Sequence, residues 1–243
     1  MKTNKPSQLS IPAAFTLVEL LVVIAVIAIL AAMIIPIAGS IRAKSTISRA
    51  QAELKKLETE IEAYQHKRGI YPPDGLNINT TNNGYAITPL FYELAGTVYT
   101  NNPPVAFQRL HGGEIIGQAD VQAIFGMGGF INSAYVANAT DNAQILQTEA
   151  GDFLKNLATA EYLVVVIRAP LLPLNKSCAV LGVQMDGPLM LGSATTGSQI
   201  NPWRYVSTNP TNNTSSYDLW VDLTIGGQTK RISNWSAQPQ NVK

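Results

Sequence analysis

The sequence predicts an α+β protein in which a long amino-terminal helix packs on a small antiparallel sheet, with an extended, partly helical insertion between them. Three features lead there. Phe15 to Ala38 is an apolar run whose one ionisable residue is Glu19. Ile47, Ala50, Leu54, Leu57, Ile61 and Tyr64 then recur at alternating spacings of three and four, a single apolar stripe on a helix. Near the carboxyl end, three segments rich in aromatic and β-branched residues are separated by turn residues.

Residues 1–14 read as a leader: short, polar, carrying Lys2 and Lys5 with no acid, and ending in Ala13 and Ala14. A secretory signal would place its small-residue cleavage site after the apolar run, and there the chain has Ile34, Ile35, Pro36 and Ile37. Any cut therefore falls before the helix. The run itself, residues 15–38, reaches ~36 Å as a helix at ~1.5 Å per residue, against a bilayer core of ~30 Å, and is expected to cross a membrane. Residues 39–68 continue the helix with an amphipathic pattern, Lys55, Lys56, Glu58, Glu60 and Glu62 lying off the apolar stripe. Gly69, Pro72 and Pro73 stop it. The stripe is too short for a coiled-coil seam, so it is expected to pack on the chain's own sheet.

Residues 69–243 are expected to form a globular domain with an insertion at about 74–197. Short helices are predicted at Thr88 to Leu94, Gln118 to Phe125 and Asn142 to Ala158, and a strand at Tyr162 to Ile167. That strand's apolar sequence is too short to span a bilayer and suits a buried position. At the carboxyl end, strands are expected around Pro202 to Tyr205, Tyr217 to Leu223 and up to Trp235. Alternation places Tyr217, Leu219, Val221 and Leu223 on one face, opposite Asp218, Trp220 and Asp222. Gly226 and Gly227 supply the hairpin turn.

The order Ala14, Phe15, Thr16, Leu17, Val18, Glu19 resembles the amino terminus of type IV pilins and type II secretion pseudopilins. In that family a basic leader ends in a small residue and Phe-Thr-Leu-x-Glu opens a long apolar helix; Pro36 also falls where the family places a helix-loosening proline. The family's residue before the cut is normally Gly, and Ala14 is a departure. The resemblance implies that a prepilin peptidase cuts between Ala14 and Phe15, that the new terminus is methylated, and that Glu19 pairs with the Phe15 amine of a neighbouring subunit. Phe15, Glu19 and Pro36 are thus the assembly residues it implies. A carboxylate inside an apolar membrane helix is disfavoured unless paired or functional, which agrees. The simpler reading is that Glu19, one turn past Phe15, snorkels to the interface. Gly69, Ile70, Tyr71, Pro72 and the terminal segments Pro202 to Tyr205, Tyr217 to Trp220 and Ile232 to Trp235 resemble pseudopilins more narrowly, the latter the major pseudopilin.

Flanking charge and resemblance disagree on orientation. Arg42, Lys44, Arg49, Lys55 and Lys56 follow the helix with only Glu53 among them, which by the positive-inside rule would hold the carboxyl side in the cytoplasm. The resemblance requires a cytoplasmic Ala14 and an exported domain, and composition sides with it, charged residues being 14% of the chain against a typical ~25%. The expected location is therefore the bacterial inner membrane, crossed once, with the carboxyl-terminal domain periplasmic or extracellular in a filament. A net charge of +1 gives no electrostatic case for nucleic acid. The lone Cys178 forms no internal disulfide and reads as a small buried apolar residue.

Major pseudopilins often bind calcium in the turn between the last strands. Here Asp222 precedes a turn, Leu223 to Lys230, whose only side-chain oxygen donors are Thr224, Gln228 and Thr229, fewer than calcium's ~6 to 8 oxygens require. Asp218 and Asp222 are its weak candidates, and the expectation is no metal, no cofactor and both aspartates solvated. No catalytic constellation stands out: His66 and His111 are the two histidines, His111 belongs to a His-Gly-Gly-Glu turn without a serine elbow, and Gly126 to Gly129 lacks a phosphate-loop lysine. The chain is expected not to be an enzyme.

The function this supports is a structural subunit of a type II secretion pseudopilus, polymerising through its amino-terminal helix. Its partners would be other pilin or pseudopilin subunits, the prepilin peptidase, the secretion or pilus assembly machinery and the inner membrane. A type IV pilus major or minor pilin fits the amino terminus equally. A membrane-anchored binding or hydrolytic domain is the alternative of a different class.

Overall fold

The computed structural model describes residues 15–75, 84–100, 103–138, 140–168, 175–193 and 195–242, with the side chains of 33–40, 142 and 146 left aside. In chain order its elements are α1 (Leu17–Arg68), a 3-10 turn (Gly84–Ala86), α2 (Leu90–Ala95), β1 (Thr97–Tyr99), β2 (Ala106–Arg109), β3 (Ile115–Gly117), α3 (Gln118–Phe125), β4 (Ser133–Tyr135), α4 (Asn142–Leu146), β5 (Tyr162–Ile167), β6 (Lys176–Val183), β7 (Leu191–Gly192), β8 (Gln199–Pro202), β9 (Arg204–Val206), β10 (Asp218–Ile225), β11 (Gln228–Ser233) and β12 (Ser236–Val242). Two compact units divide the chain, Met1–Ser45 and Thr46–Lys243. The fold is α+β, as expected.

The first unit contributes the start of α1, whose backbone stays helical through Pro36. Pro36's side chain and the whole of Met1 to Ala14 lie outside the described residues. The membrane-crossing part of the expectation is not carried by the fold: among the described residues no helix is long and apolar enough to cross a membrane. The described side chains of the apolar run stop at Ala32, which from Leu17 is about 24 Å of helix, short of the ~30 Å a bilayer core requires.

In the second unit the apolar stripe of α1 is buried as the spacing predicts. Ala50, Leu54, Leu57, Ile61 and Tyr64 join one core with Tyr205, Tyr217, Leu219, Val221 and Leu223, and Ile47 packs at its margin. Gly69, at φ +78, donates its N–H to Gln65 O at 2.7 Å and ends the helix in a left-handed turn. The next residues are tied down at once. Pro72 O accepts from Tyr205 Oη and Ser207 Oγ, both at 2.8 Å, and the Tyr71 and Tyr217 rings lie 5.1 Å apart. The Gly-Ile-Tyr-Pro segment thus fastens the helix end to the terminal strands.

Among the described residues, three four-stranded sheets replace the single small sheet expected: β3-β2-β1-β4, β5-β6-β8-β7 and β12-β11-β10-β9. The first contains a parallel pair, β1 with β4. The insertion is accordingly built more from strands than helices. Within it α3 and β5 fall where predicted, and α2 starts two residues later than expected. The helix expected over Asn142 to Ala158 ends at Leu146. Tertiary bonds win there: Gly151 N donates to Asn132 Oδ1 at 2.8 Å and Phe153 N to Leu94 O at 2.8 Å, both incompatible with a continuing helix.

The carboxyl-terminal hairpin follows the sequence closely. Gly226 and Gly227 take φ +59 and +77 in the two-residue turn joining β10 to β11, a conformation that admits glycine and twists with the strands.

Candidate functional site

Of the residues singled out at the amino terminus, Phe15 and Glu19 sit with Thr16 at the start of α1. Thr16 is its cap: Glu19 N donates to Thr16 Oγ1 at 3.2 Å, while Glu19 Oε2 accepts from Thr16 N at 2.9 Å and Thr16 Oγ1 at 2.8 Å. This is the reciprocal capping box of Thr-x-x-Glu, in which the first residue and the fourth satisfy each other's backbone donors. The pattern was legible as a helix start in the sequence, where it entered only as part of a family motif. Both Thr16 donors converge on Oε2, so Oε1 of Glu19 takes no hydrogen bond among the described residues.

Around this cap the surface is apolar. Phe15 is 74% exposed, and Leu17, Leu20, Leu21, Ile24, Ile27 and Leu30 are exposed as well. A contiguous exposed apolar surface of this kind marks an interaction with a membrane or another protein. Pro36 lies about 25 Å farther along the helix from Glu19 and is not part of this cluster. Ala14 falls outside the described residues.

Asp218 and Asp222 are not solvated, contrary to expectation; they are 2% and 6% exposed. Asp218 organises the loop before its strand, accepting from the backbone N–H of Thr211, Asn212 and Asn213 at 2.8 to 2.9 Å. Asp222 takes a two-pronged contact from Arg231, Nε to Oδ1 at 2.7 Å and Nη2 to Oδ2 at 3.0 Å, with Arg204 Nη1 at 3.8 Å. Burial lowers the Arg204 pKa, and Asp222 opposes that. These carboxylates are committed to donors of the chain itself. Among the described residues no group of three or more His, Cys, Asp or Glu could hold a metal.

His66 is exposed on α1, and His111, in a surface turn with Gly112 and Gly113 at positive φ, faces Asp152 Oδ2 at 3.3 Å. Cys178 is buried in β6, where desolvation pushes its thiol pKa well up. It is a packing residue.

One cluster escaped sequence reasoning. Glu93, in α2, is 0% exposed. Its Oε2 accepts from Tyr64 Oη and Asn132 N at 2.9 Å, and its Oε1 from Ile131 N at 2.8 Å. Burial raises its pKa, while these donors and the Arg68 charge pull it back. Arg68 Nη2 reaches Asn132 Oδ1 at 2.5 Å and Glu149 O at 2.9 Å, so the last turn of α1 is joined through polar groups to α2 and the strands beyond. The signal was a lone acid in the otherwise apolar helix Leu-Phe-Tyr-Glu-Leu-Ala. Such a residue needs buried donors.

Comparison with known proteins adds one finding at the capped terminus. Residues 12–35 match the prokaryotic N-terminal methylation motif. This prepilin-type motif supports a type IV pilin-like family, with assembly alongside other pilin subunits and processing by a prepilin peptidase in general terms. It covers both sides of the Ala14-Phe15 junction and the apolar run through Ile35. No curated protein and no solved structure matches the chain.

Proposed function

We propose that this chain is a structural subunit of a pilus or pseudopilus that works by assembly rather than catalysis. The observation that carries this is the methylation motif at residues 12–35, whose part from Leu17 onward lies on a helix with exposed apolar side chains through Leu30 and with its carboxylate presented about one turn from the processing junction. In this reading the prepilin peptidase cuts after Ala14, Phe15 becomes a methylated amino terminus, and residues 15–38 hold the subunit in the inner membrane until it joins a filament. The carboxyl-terminal domain is then periplasmic or extracellular.

Glu19 has a definite task in this account. The capping box holds its carboxylate at the helix start, with no bond to Oε1 among the described residues, and that oxygen receives the Phe15 amine of the neighbouring subunit. An unpaired carboxylate among packed apolar helices is disfavoured, so partner pairing sets the register of addition. Of the two filament types we favour the type II secretion pseudopilus. Its support is the Gly69, Ile70, Tyr71, Pro72 segment, here hydrogen-bonded to the terminal strands through Pro72, together with the β10 to β12 meander.

Co-expression with a prepilin peptidase and the matching assembly machinery, followed by recovery of sheared filaments, tests the proposal. Filaments containing the chain are expected, and they should be lost in the Glu19→Ala variant. Stable accumulation of processed subunit with no filament under any assembly machinery would overturn it.

A further inference from the structure

Among the described residues, the sheet β3-β2-β1-β4 ends in two unpaired edges that match each other. Both edge strands are three residues long, Ile115–Gly117 and Ser133–Tyr135, and neither contains a charge or a proline. By contrast β12, an edge of the carboxyl-terminal sheet, carries Pro239, a residue that blunts edge pairing. At β4 the bonds Thr97 N to Asn132 O and Val136 N to Tyr99 O turn the main chain of Ala134 toward β1, and those of Ser133 and Tyr135 outward. At β3 the bonds Arg109 N to Glu114 O and Gln118 N to Val105 O turn Ile116 toward β2, and Ile115 and Gly117 outward. Each edge therefore offers two residues with outward N–H and C=O groups.

The large apolar side chains follow the same edges. Ile115 is 64% exposed on β3 and Tyr135 52% exposed on β4. A groove of about 500 Å³, bounded by β4, Arg68 and the Gln144 to Glu149 segment, runs beside the β4 edge.

We infer that β4 of one copy pairs with β3 of the next, so that this sheet runs on from subunit to subunit. The inference rests on the assembly reading given above and names a surface for it beyond the amino-terminal helix. Strand direction supports it. β4 is parallel to β1, and β3, two antiparallel steps from β1, has the same sense, so the two edges pair in parallel when copies are related head to tail. Such a contact uses different surfaces on the two partners and propagates as an open assembly, which is what a filament requires. The outward groups allow two registers of three bonds each, and the one that carries the side-chain stripe across the contact has Ile115 N donating to Ser133 O, Tyr135 N to Ile115 O, and Gly117 N to Tyr135 O of the facing copy. Tyr135 then stands beside Ile116 of the next copy, continuing the stripe Ile116, Phe107, Tyr99, Tyr135 that already crosses the sheet in register. On the other face Ile115 is placed beside Ala134, next to the small apolar cluster of Val98, Val136 and Ile145.

That last neighbour pair gives the test. In the full chain, Ala134→Cys with Ile115→Cys should form intersubunit disulfides on mild oxidation of assembled material, giving a ladder of covalent dimers, trimers and higher species. Within one copy the two positions lie about three strand spacings apart, ~14 Å, too far for a disulfide, and Cys178 is buried. Each single variant should give no ladder. Tyr135→Pro, which removes an outward N–H without touching the bonds to β1, should abolish the ladder in the double-cysteine background while leaving the tryptophan fluorescence of the fold unchanged. Sedimentable assemblies without a ladder would overturn this inference alone. Absence of any assembly would overturn the subunit reading and this inference with it, and dimers from Ile115→Cys alone would show a symmetric contact instead.

Discussion

Replacing Glu93 should be among the most damaging single changes in the second unit, although no sequence pattern marks it as functional. The carboxylate accepts three hydrogen bonds, and two of the donors, Tyr64 Oη and Asn132 N, belong to residues with 0% exposure. Glu93→Ala strands both, at ~1 to 3 kcal/mol each, and leaves a gap; ~3 to 5 kcal/mol is the expected total, in line with breaking a buried charged contact. Glu93→Gln can place its oxygen at the Oε2 position and keep both buried donors, losing only the part-exposed Ile131 N–H, so it should cost about 1 to 2 kcal/mol. Tyr64→Phe removes one hydrogen bond to the carboxylate and should cost ~1.5 to 3 kcal/mol. The assay is equilibrium urea unfolding of the full chain in mild detergent, followed by tryptophan fluorescence. A Glu93→Ala cost below ~1 kcal/mol, or a Glu93→Gln cost equal to it, would refute the reasoning, since the three donors would then not depend on this side chain.

Further expectations follow from the same geometry. Leu57, buried between α1 and the terminal strands, should cost ~2 to 5 kcal/mol when replaced by Ala, read from the same unfolding curves; a cost within error of zero would show that the stripe is not the core. Burial pushes Glu60 up to about 7 from its ordinary 4.5, with Lys56 opposing and Glu161 and Asp152 adding to the rise. The folded state thus holds this proton more tightly, so its contribution is fully present below about 4.5 and is lost as pH rises through about 7. Glu60→Gln should match wild type near pH 5 and be more stable by ~1 to 2 kcal/mol near pH 8, after allowance for solvent screening of a part-exposed group; identical pH profiles would contradict this. Glu19→Gln keeps a side chain able to close the capping box but removes the charge, whereas Glu19→Ala removes both. If pairing with a neighbour's amine is the role, both should lose filament incorporation, and normal incorporation of the Gln variant would assign Glu19 to capping alone.

Much of the helix was legible because a stripe at a period of 3.6 can be satisfied in few ways, and Gly69 with two prolines marks its end without ambiguity. The same holds for α3, for β5 and for the Gly226-Gly227 hairpin, where local chemistry and tertiary need agree. The three sheets were not legible. Strands of two or three residues, such as β7 and β9, are too short to display an alternation, and their pairing is decided by distant partners. Asp218 and Asp222 were misplaced for a related reason: alternation assumes one solvated face, but the outer face of β10 is covered, the Tyr85 and Trp235 rings lying 5.8 and 5.6 Å from Trp220 and Arg231 stacking over it. The helix expected to run to Ala158 failed where Asn132 and Leu94 drew Gly151 and Phe153 into long-range hydrogen bonds. At the candidate site the sequence offered residues but not their geometry. Thr16 stood in the motif, yet its bond to Glu19 is what gives the carboxylate a fixed place.

A pilin-type subunit must be processed at the Ala14-Phe15 junction to expose a terminus beside Glu19. Intact-mass and amino-terminal peptide mass spectrometry of protein from cells expressing a prepilin peptidase measures this directly. Loss of residues 1–14 and a Phe15 terminus carrying one added methyl group are expected. Protein that retains Met1 in the presence of an active peptidase, or a terminus elsewhere in the apolar run, would contradict it.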